Sequence, residues 1–124
     1  MENVLGINAD TFERDILKSN ILVIVDFWHE HCPWCLRLNP LFDQVSEEYQ
    51  NKVKFAKLNV IKSPENRDIA SKYGVIGTPT LKFFCGGRPV EERVGFLPKE
   101  QLKKSIDDVL AKHKECISQS TELP

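Results

Sequence analysis

The sequence predicts an α/β domain, and three features of its 124 residues predict it. Strand-like and helix-like patterns alternate from Asn3 to Gly74, an order that favours parallel pairing with right-handed crossovers. The run Ile21 to Trp28 is β-branched and almost unbroken in its apolar character, as a central strand covered on both faces requires. After Thr78-Pro79 the style changes to two short strand-like runs about Gly86-Gly87, which read as an antiparallel hairpin. A chain of this length buries a core of its own but does not hold two domains.

Each element follows from local chemistry. Asn3 to Ile7 reads as a short edge strand. Asp10-Thr11-Phe12-Glu13 then has the acid and the later Glu of a capping box, opening a short helix to about Lys18. Asp26 is the one polar intruder in the central strand. From Pro33 to about Gln50, Leu38, Leu41, Phe42, Val45 and Tyr49 recur at helical spacing and give one buried face. Pro40 interrupts that pattern, and a bend is expected there instead of a break into two helices. Val53 to Val60 is a further strand. Ser63-Pro64-Glu65 is an N-cap followed by proline at the first helical position, and the helix it opens stops at Gly74. Thr80 to Phe84 and Val90 to Val94 form the hairpin. Pro98 opens a last helix with Leu102, Ile106, Val109 and Leu110 inward, and the polar chain beyond Lys114 is expected to fray.

Composition narrows the function classes. Hydrophobic residues at 41% and charged residues at 28% are ordinary for a globular protein, and no apolar run approaches a membrane span. A formal charge of -1 with scattered lysines argues against nucleic acid. Met1-Glu2-Asn3-Val4 lacks the shape of a secretion signal, so a cytoplasmic location is expected. Two of the four cysteines form a C-x-x-C pair and two stand apart, which is not a secreted disulfide framework. Cys85 and Cys116 are read as unpaired thiols, and His113 as a surface residue.

The chemistry concentrates at Cys32-Pro33-Trp34-Cys35, between the central strand and the long helix. Two cysteines three positions apart at a helix's first turn bring their sulfurs to one side, close enough to form and break a disulfide. With Cys32 as N-cap and Pro33 at the first helical position, the N–H groups of Trp34 and Cys35 face the Cys32 sulfur. Those donors and the helix dipole favour the thiolate, so its pKa is expected below the free value of about 8.5. Cys35, inside the turn, should ionise less readily. Half of a zinc site, completed by His29, His31 or another cysteine, is the competing reading, and the absence of a second C-x-x-C weighs against it.

These residues resemble the thioredoxin family from about Asn3 to Leu110. The likeness rests on Val25-Asp26-Phe27-Trp28 before the cysteines, Pro40, Lys57-Leu58-Asn59-Val60, Lys72-Tyr73-Gly74, Thr78-Pro79-Thr80-Leu81 and Val94-Gly95. It implies a mixed five-stranded sheet with helices on both faces and thiol–disulfide exchange without a cofactor or metal, while chain length and the polar end set one domain over residues 1–113 with 114–124 as a flexible tail. It further implies Cys32 as nucleophile, Cys35 as resolving thiol, Asp26 as a buried carboxylate serving Cys35, Lys57 as its neighbour of opposite charge, and Pro79 as a cis proline presenting Thr78 to a substrate strand. Trp34, Ile76, Gly95 and Phe96 complete the expected docking surface. The implied partners are proteins carrying disulfides and an upstream electron donor of the thioredoxin-reductase type, and the chain is expected to be a monomer.

The departures bear on tuning. The family's common core has Gly-Pro between the cysteines and Trp before them, whereas this chain has Pro33-Trp34 within and His31 before, with His29 in place of a small residue. Pro-aromatic pairs are similar to those of glutaredoxins, and a protonated His31 would favour the thiolate and raise the redox poise. Leu36 and Ile61 stand where charged residues are common and make the rim more apolar. A glutaredoxin-like or oxidase/isomerase-like role is therefore the alternative, and a binding module with idle thiols is the alternative from another class.

Overall fold

In the computed structural model, which describes residues 3–118, five strands form one mixed sheet in the order β1-β3-β2-β4-β5. The strands are β1 (Val4–Ile7), β2 (Leu22–Trp28), β3 (Val53–Asn59), β4 (Thr80–Cys85) and β5 (Arg88–Val94). β1 and β2 each pair in parallel with β3, and β4 pairs antiparallel with β2 and with β5. The mixed sheet that the resemblance implied is therefore present, with β2 near its centre, where its apolar run is covered on both faces.

Helices cover the two faces. α1 (Ala9–Phe12, continued by a π turn over Glu13–Leu17) and α3 (Pro64–Lys72) pack on one, where Phe12, Ile16 and Ala70 meet Val23, Val25, Phe27 and Leu58. α2 (Pro33–Ser46, followed by a 3-10 turn over Glu47–Tyr49) and α4 (Lys99–Lys112) pack on the other. There Leu38, Phe42 and Val45 join Leu102, Ile106 and Val109 over Leu22, Ile24, Phe55 and Leu81. The period of two along β2 thus sends odd-numbered side chains to one core and even-numbered ones to the other.

Three expectations need correction. The first cap lies earlier than Asp10: Asn8 Oδ1 accepts from the amides of Asp10 and Thr11 at 2.9 and 3.1 Å, and Thr11 Oγ1 accepts from Asn8 N at 3.1 Å. Asn caps as well as Asp, and Thr11 closes the box from the N3 position. Beyond Lys114, residues Glu115–Ser118 form a further helix, α5, and the rest of the tail lies outside the described residues. Cys85 and Cys116 are not free thiols but are disulfide-bonded to each other, across 31 positions of sequence.

Other expectations hold. α2 is not broken into two helices at Pro40, and Pro98 opens α4 as its N-cap. Ser63 caps α3, its Oγ accepting from Asn66 N at 3.0 Å. The hairpin turn rests on Gly86 and Gly87, both at positive φ, and a Cβ on Gly87 would lie 2.9 Å from the Leu17 carbonyl oxygen.

Candidate active site

The sequence positions Cys32 by ending one element and starting the next. β2 stops at Trp28, a short loop follows, and Cys32 caps α2 with extended backbone angles, its Sγ accepting from Cys35 N at 3.2 Å. Pro33 takes the first helical position, where no N–H is needed. Cys32 and Cys35 are joined as a disulfide, with Cα atoms 5.2 Å apart. Both residues are largely buried, Cys32 at 8% exposed and Cys35 completely, so Cys32 is the more accessible of the pair. A helix N-terminus and an amide aimed at a sulfur favour its anion, whereas a buried thiol resists ionisation.

The loop before β4 completes the first sulfur's surroundings. The Thr78-Pro79 peptide bond is cis, and the Thr78 carbonyl oxygen lies 3.5 Å from Cys32 Sγ. Gly95 N donates to the Pro79 carbonyl at 2.8 Å, which ties the end of β5 to this loop. The groove so formed is lined by Trp34, Thr78, Pro79, Gly95 and Phe96, with the rings of Trp34 and Phe96 5.4 Å apart.

Asp26 sits on the α2 side of β2, beside Lys57 on β3 and Leu81 on β4. It is wholly buried, and neither carboxylate oxygen has a hydrogen-bond partner among the described residues. Burial pushes its pKa up to about 7; the Lys57 ammonium pulls it down and the Asp43 carboxylate pushes it up, both by less. Lys57 Nζ lies 5.1 Å from the centre of the Trp28 ring, so its charge is held between the carboxylate's strand and an aromatic face.

The structure divides what the sequence grouped. Trp34 and Phe96 share one groove, but Ile76, 99% exposed, lines a second with His29, Ile61, Arg67 and Thr78. The expected single apolar patch is thus two grooves that meet at Thr78. His31 is exposed, its Nε2 3.9 Å from Glu30 Oε2 and its backbone N–H donating to His29 Nδ1 at 3.1 Å. Glu30 in turn accepts from Asn59 Nδ2 at 2.8 Å, which holds its carboxyl below the usual carboxylate range. Among the described residues, no group of three or more His, Cys, Asp or Glu could hold a metal ion.

Two residues of this region escaped the sequence reading. Arg37 lies with its guanidinium carbon 4.8 Å from the centre of the Trp34 ring, and Arg67 lines the second groove. The spacing Trp34 to Arg37 on one helix face was a readable signal for the first. Arg67 had none, because its place depends on how α3 packs beside the loop.

A family model described as Thioredoxin matches residues 3–108. Thioredoxin of Pseudomonas aeruginosa is 41% identical over 106 residues, 86% of this chain and 95% of the relative. Thioredoxin of Alicyclobacillus acidocaldarius is 43% identical over 102 residues, covering 82% and 94% of the two chains. The chloroplastic M-type thioredoxin of Chlamydomonas reinhardtii is 36% identical over 105 residues, covering 85% and 73%.

Proposed function

The chain belongs to the thioredoxin family, and from that membership we propose that Cys32 attacks protein disulfides, that Cys35 resolves the product and that Asp26 takes the Cys35 proton. The activity itself is dithiol–disulfide oxidoreduction, carried out as a thioredoxin. The observation that carries the assignment of roles is the asymmetry of the pair. Cys32 Sγ accepts an amide at a helix N-terminus beside the Thr78 carbonyl, while Cys35 lies wholly buried behind it.

The electrons and protons balance through two exchanges. The Cys32 thiolate attacks one sulfur of a substrate disulfide, forming a mixed disulfide and releasing the other substrate sulfur as a thiolate that takes a proton from solvent. Cys35 then loses its proton to Asp26 through an intervening water, attacks the Cys32 sulfur and displaces the second substrate thiolate. The substrate gains two electrons and this chain is left as the Cys32–Cys35 disulfide. Asp26 suits the proton transfer because a carboxylate titrating at about 7 can accept a proton and return it near neutral pH.

The groove of Trp34, Thr78, Pro79 and Phe96 fits an extended segment of substrate laid beside the Thr78 backbone. We assign to Thr78 the strand-like hydrogen bonds and to the Trp34 and Phe96 rings the apolar contact. The substrates are disulfide-bearing proteins, the electrons come from a reductase of the thioredoxin-reductase type, and the chain works as a monomer in the cytoplasm. No helix among the described residues is long and apolar enough to cross a membrane.

Insulin reduction supplied by a dithiol tests the assignment. Cys32→Ser is expected to abolish turnover, and Cys35→Ser to accumulate a covalent mixed disulfide seen as a mass increase equal to the trapped substrate. Full activity in Cys32→Ser would contradict the proposed nucleophile.

A further inference from the structure

The second disulfide lies at the far end of the sheet from the first. β4 begins at Thr80, next to Pro79 and the active-site loop, and ends at Cys85, about 17 Å along the strand at the usual rise per residue. Its partner Cys116 belongs to α5, beyond residue 108 where the family match ends. Both residues are 1% exposed and both belong to the apolar core formed under α2 and α4, with Val90 and Leu110 packed against it.

The bond joins α5 to the end of β4 at a residue that is itself packed in the core. A four-residue helix is far too short to be stable alone. The polar contacts at its start are partly solvated. His113 has Nε2 3.2 Å from Glu91 Oε2 and Nδ1 3.6 Å from Glu115 Oε2, and that Glu115 oxygen lies 3.7 Å from Cys85 Sγ. Such contacts orient the segment but are individually worth little.

Thiol–disulfide exchange needs a thiolate to reach one sulfur of the bond it breaks. Cys32, 8% exposed, lies beside the groove at Thr78 from which a thiolate can approach, whereas Cys85 and Cys116, each 1% exposed, lie within the core and are reached only if α5 first lifts from the sheet. We propose that Cys85–Cys116 is a second, structural redox site that clamps the C-terminal helix to the end of β4 and stays closed while Cys32–Cys35 opens and closes. When α5 lifts, a small dithiol can supply two electrons and two protons, leaving Cys85 and Cys116 as thiols and itself as a cyclic disulfide. Opening therefore follows the local unfolding of α5, whereas the active-site pair answers directly to the reductant.

The test uses the full chain, prepared without reductant, exposed to dithiothreitol, quenched at intervals in acid and then alkylated with iodoacetamide in denaturant, so that every reduced thiol is read, before peptide mass mapping. Cys32 and Cys35 are expected to become reduced at least a hundredfold faster than Cys85 and Cys116, and urea present during the reduction is expected to erase the gap. Label on Cys85 and Cys116 without reductant, or opening of both bonds at one rate, would overturn the proposal. Failure of Cys32 and Cys35 to reduce would count against the assigned exchange chemistry and leave the clamp standing. A second measurement separates clamp from packing. Cys85→Ala, Cys116→Ala and the double variant should keep insulin reduction within about twofold of the parent. All three should share one drop in melting temperature, on the order of 10 °C, since either change removes the same bond. Two smaller drops that add in the double variant, or no drop, would contradict it.

Discussion

Asp26 carries the sharpest consequence of a single side chain. Its carboxyl is buried with no hydrogen-bond partner among the described residues and titrates near 7, above the ordinary value of 3.8. Between those two values the native state holds a proton that the unfolded chain has lost, so stability falls as pH rises from about 4 through 7 and levels off above. The cost at high pH is on the order of 4 kcal/mol for such a difference. Asp26→Asn should therefore melt higher than the parent at pH 8 and differ little at pH 3, as calorimetry across that range would read. The same variant should slow release of substrate from the mixed disulfide by about tenfold or more and flatten the inflection near pH 7, as expected where a proton acceptor is lost. If the rate and its pH profile are unchanged, Asp26 is a buried charge without a part in the reaction. The sequence made Asp26 conspicuous as the lone acid in an apolar strand. Its register beside Lys57 rested on the family likeness, because strand pairing cannot be read from one strand's pattern.

At the scale of elements, α2 does two jobs with one sequence: its first turn presents the sulfurs and its buried face builds the core under β2 and β3. Its continuation through the 3-10 turn carries Tyr49 to α4, where the hydroxyl donates to Asp107 Oδ1 at 2.6 Å and lies 3.3 Å from the Lys103 carbonyl oxygen. Burial, followed by the hydrogen bond to Asp107 and the charge of that carboxylate, raises the Tyr49 pKa well above its usual value. Tyr49→Phe should cost about 1–2 kcal/mol, the range for a bond to a charged acceptor that water can partly replace. Ser63→Ala, which strips the cap from α3, should cost about 1 kcal/mol. Chemical denaturation reads both, and an unchanged midpoint in either would mean that the contact is not made in solution. Helices with proline and serine signals were legible to within a residue or two. The start of α1 was not, because Asn8 and Asp10 are both able caps and only the packed structure chooses between them.

Over the whole molecule, the sheet order brings together segments that are distant in sequence: the end of β2, the start of α2, the loop before β4 and the end of β5. The alternation of strands and helices made the parallel half legible, and Gly86-Gly87 made the hairpin legible. The second disulfide was not, since its two cysteines are separated by 31 positions and nothing local pairs them. The division of the docking surface into two grooves was likewise hidden, because the side on which Ile76 emerges depends on the loop around Pro79. The functional reading depends most on one proposal about this assembly: in the reduced protein the first turn of α2 favours the Cys32 thiolate, with the buried Cys35 behind it. The rate of alkylation of each thiol in the reduced protein, followed by mass from pH 5 to 10, tests it. Cys32 should titrate clearly below 8.5 and Cys35 above it; if both follow the curve of free cysteine, the first turn of α2 does not activate the sulfur and the account fails.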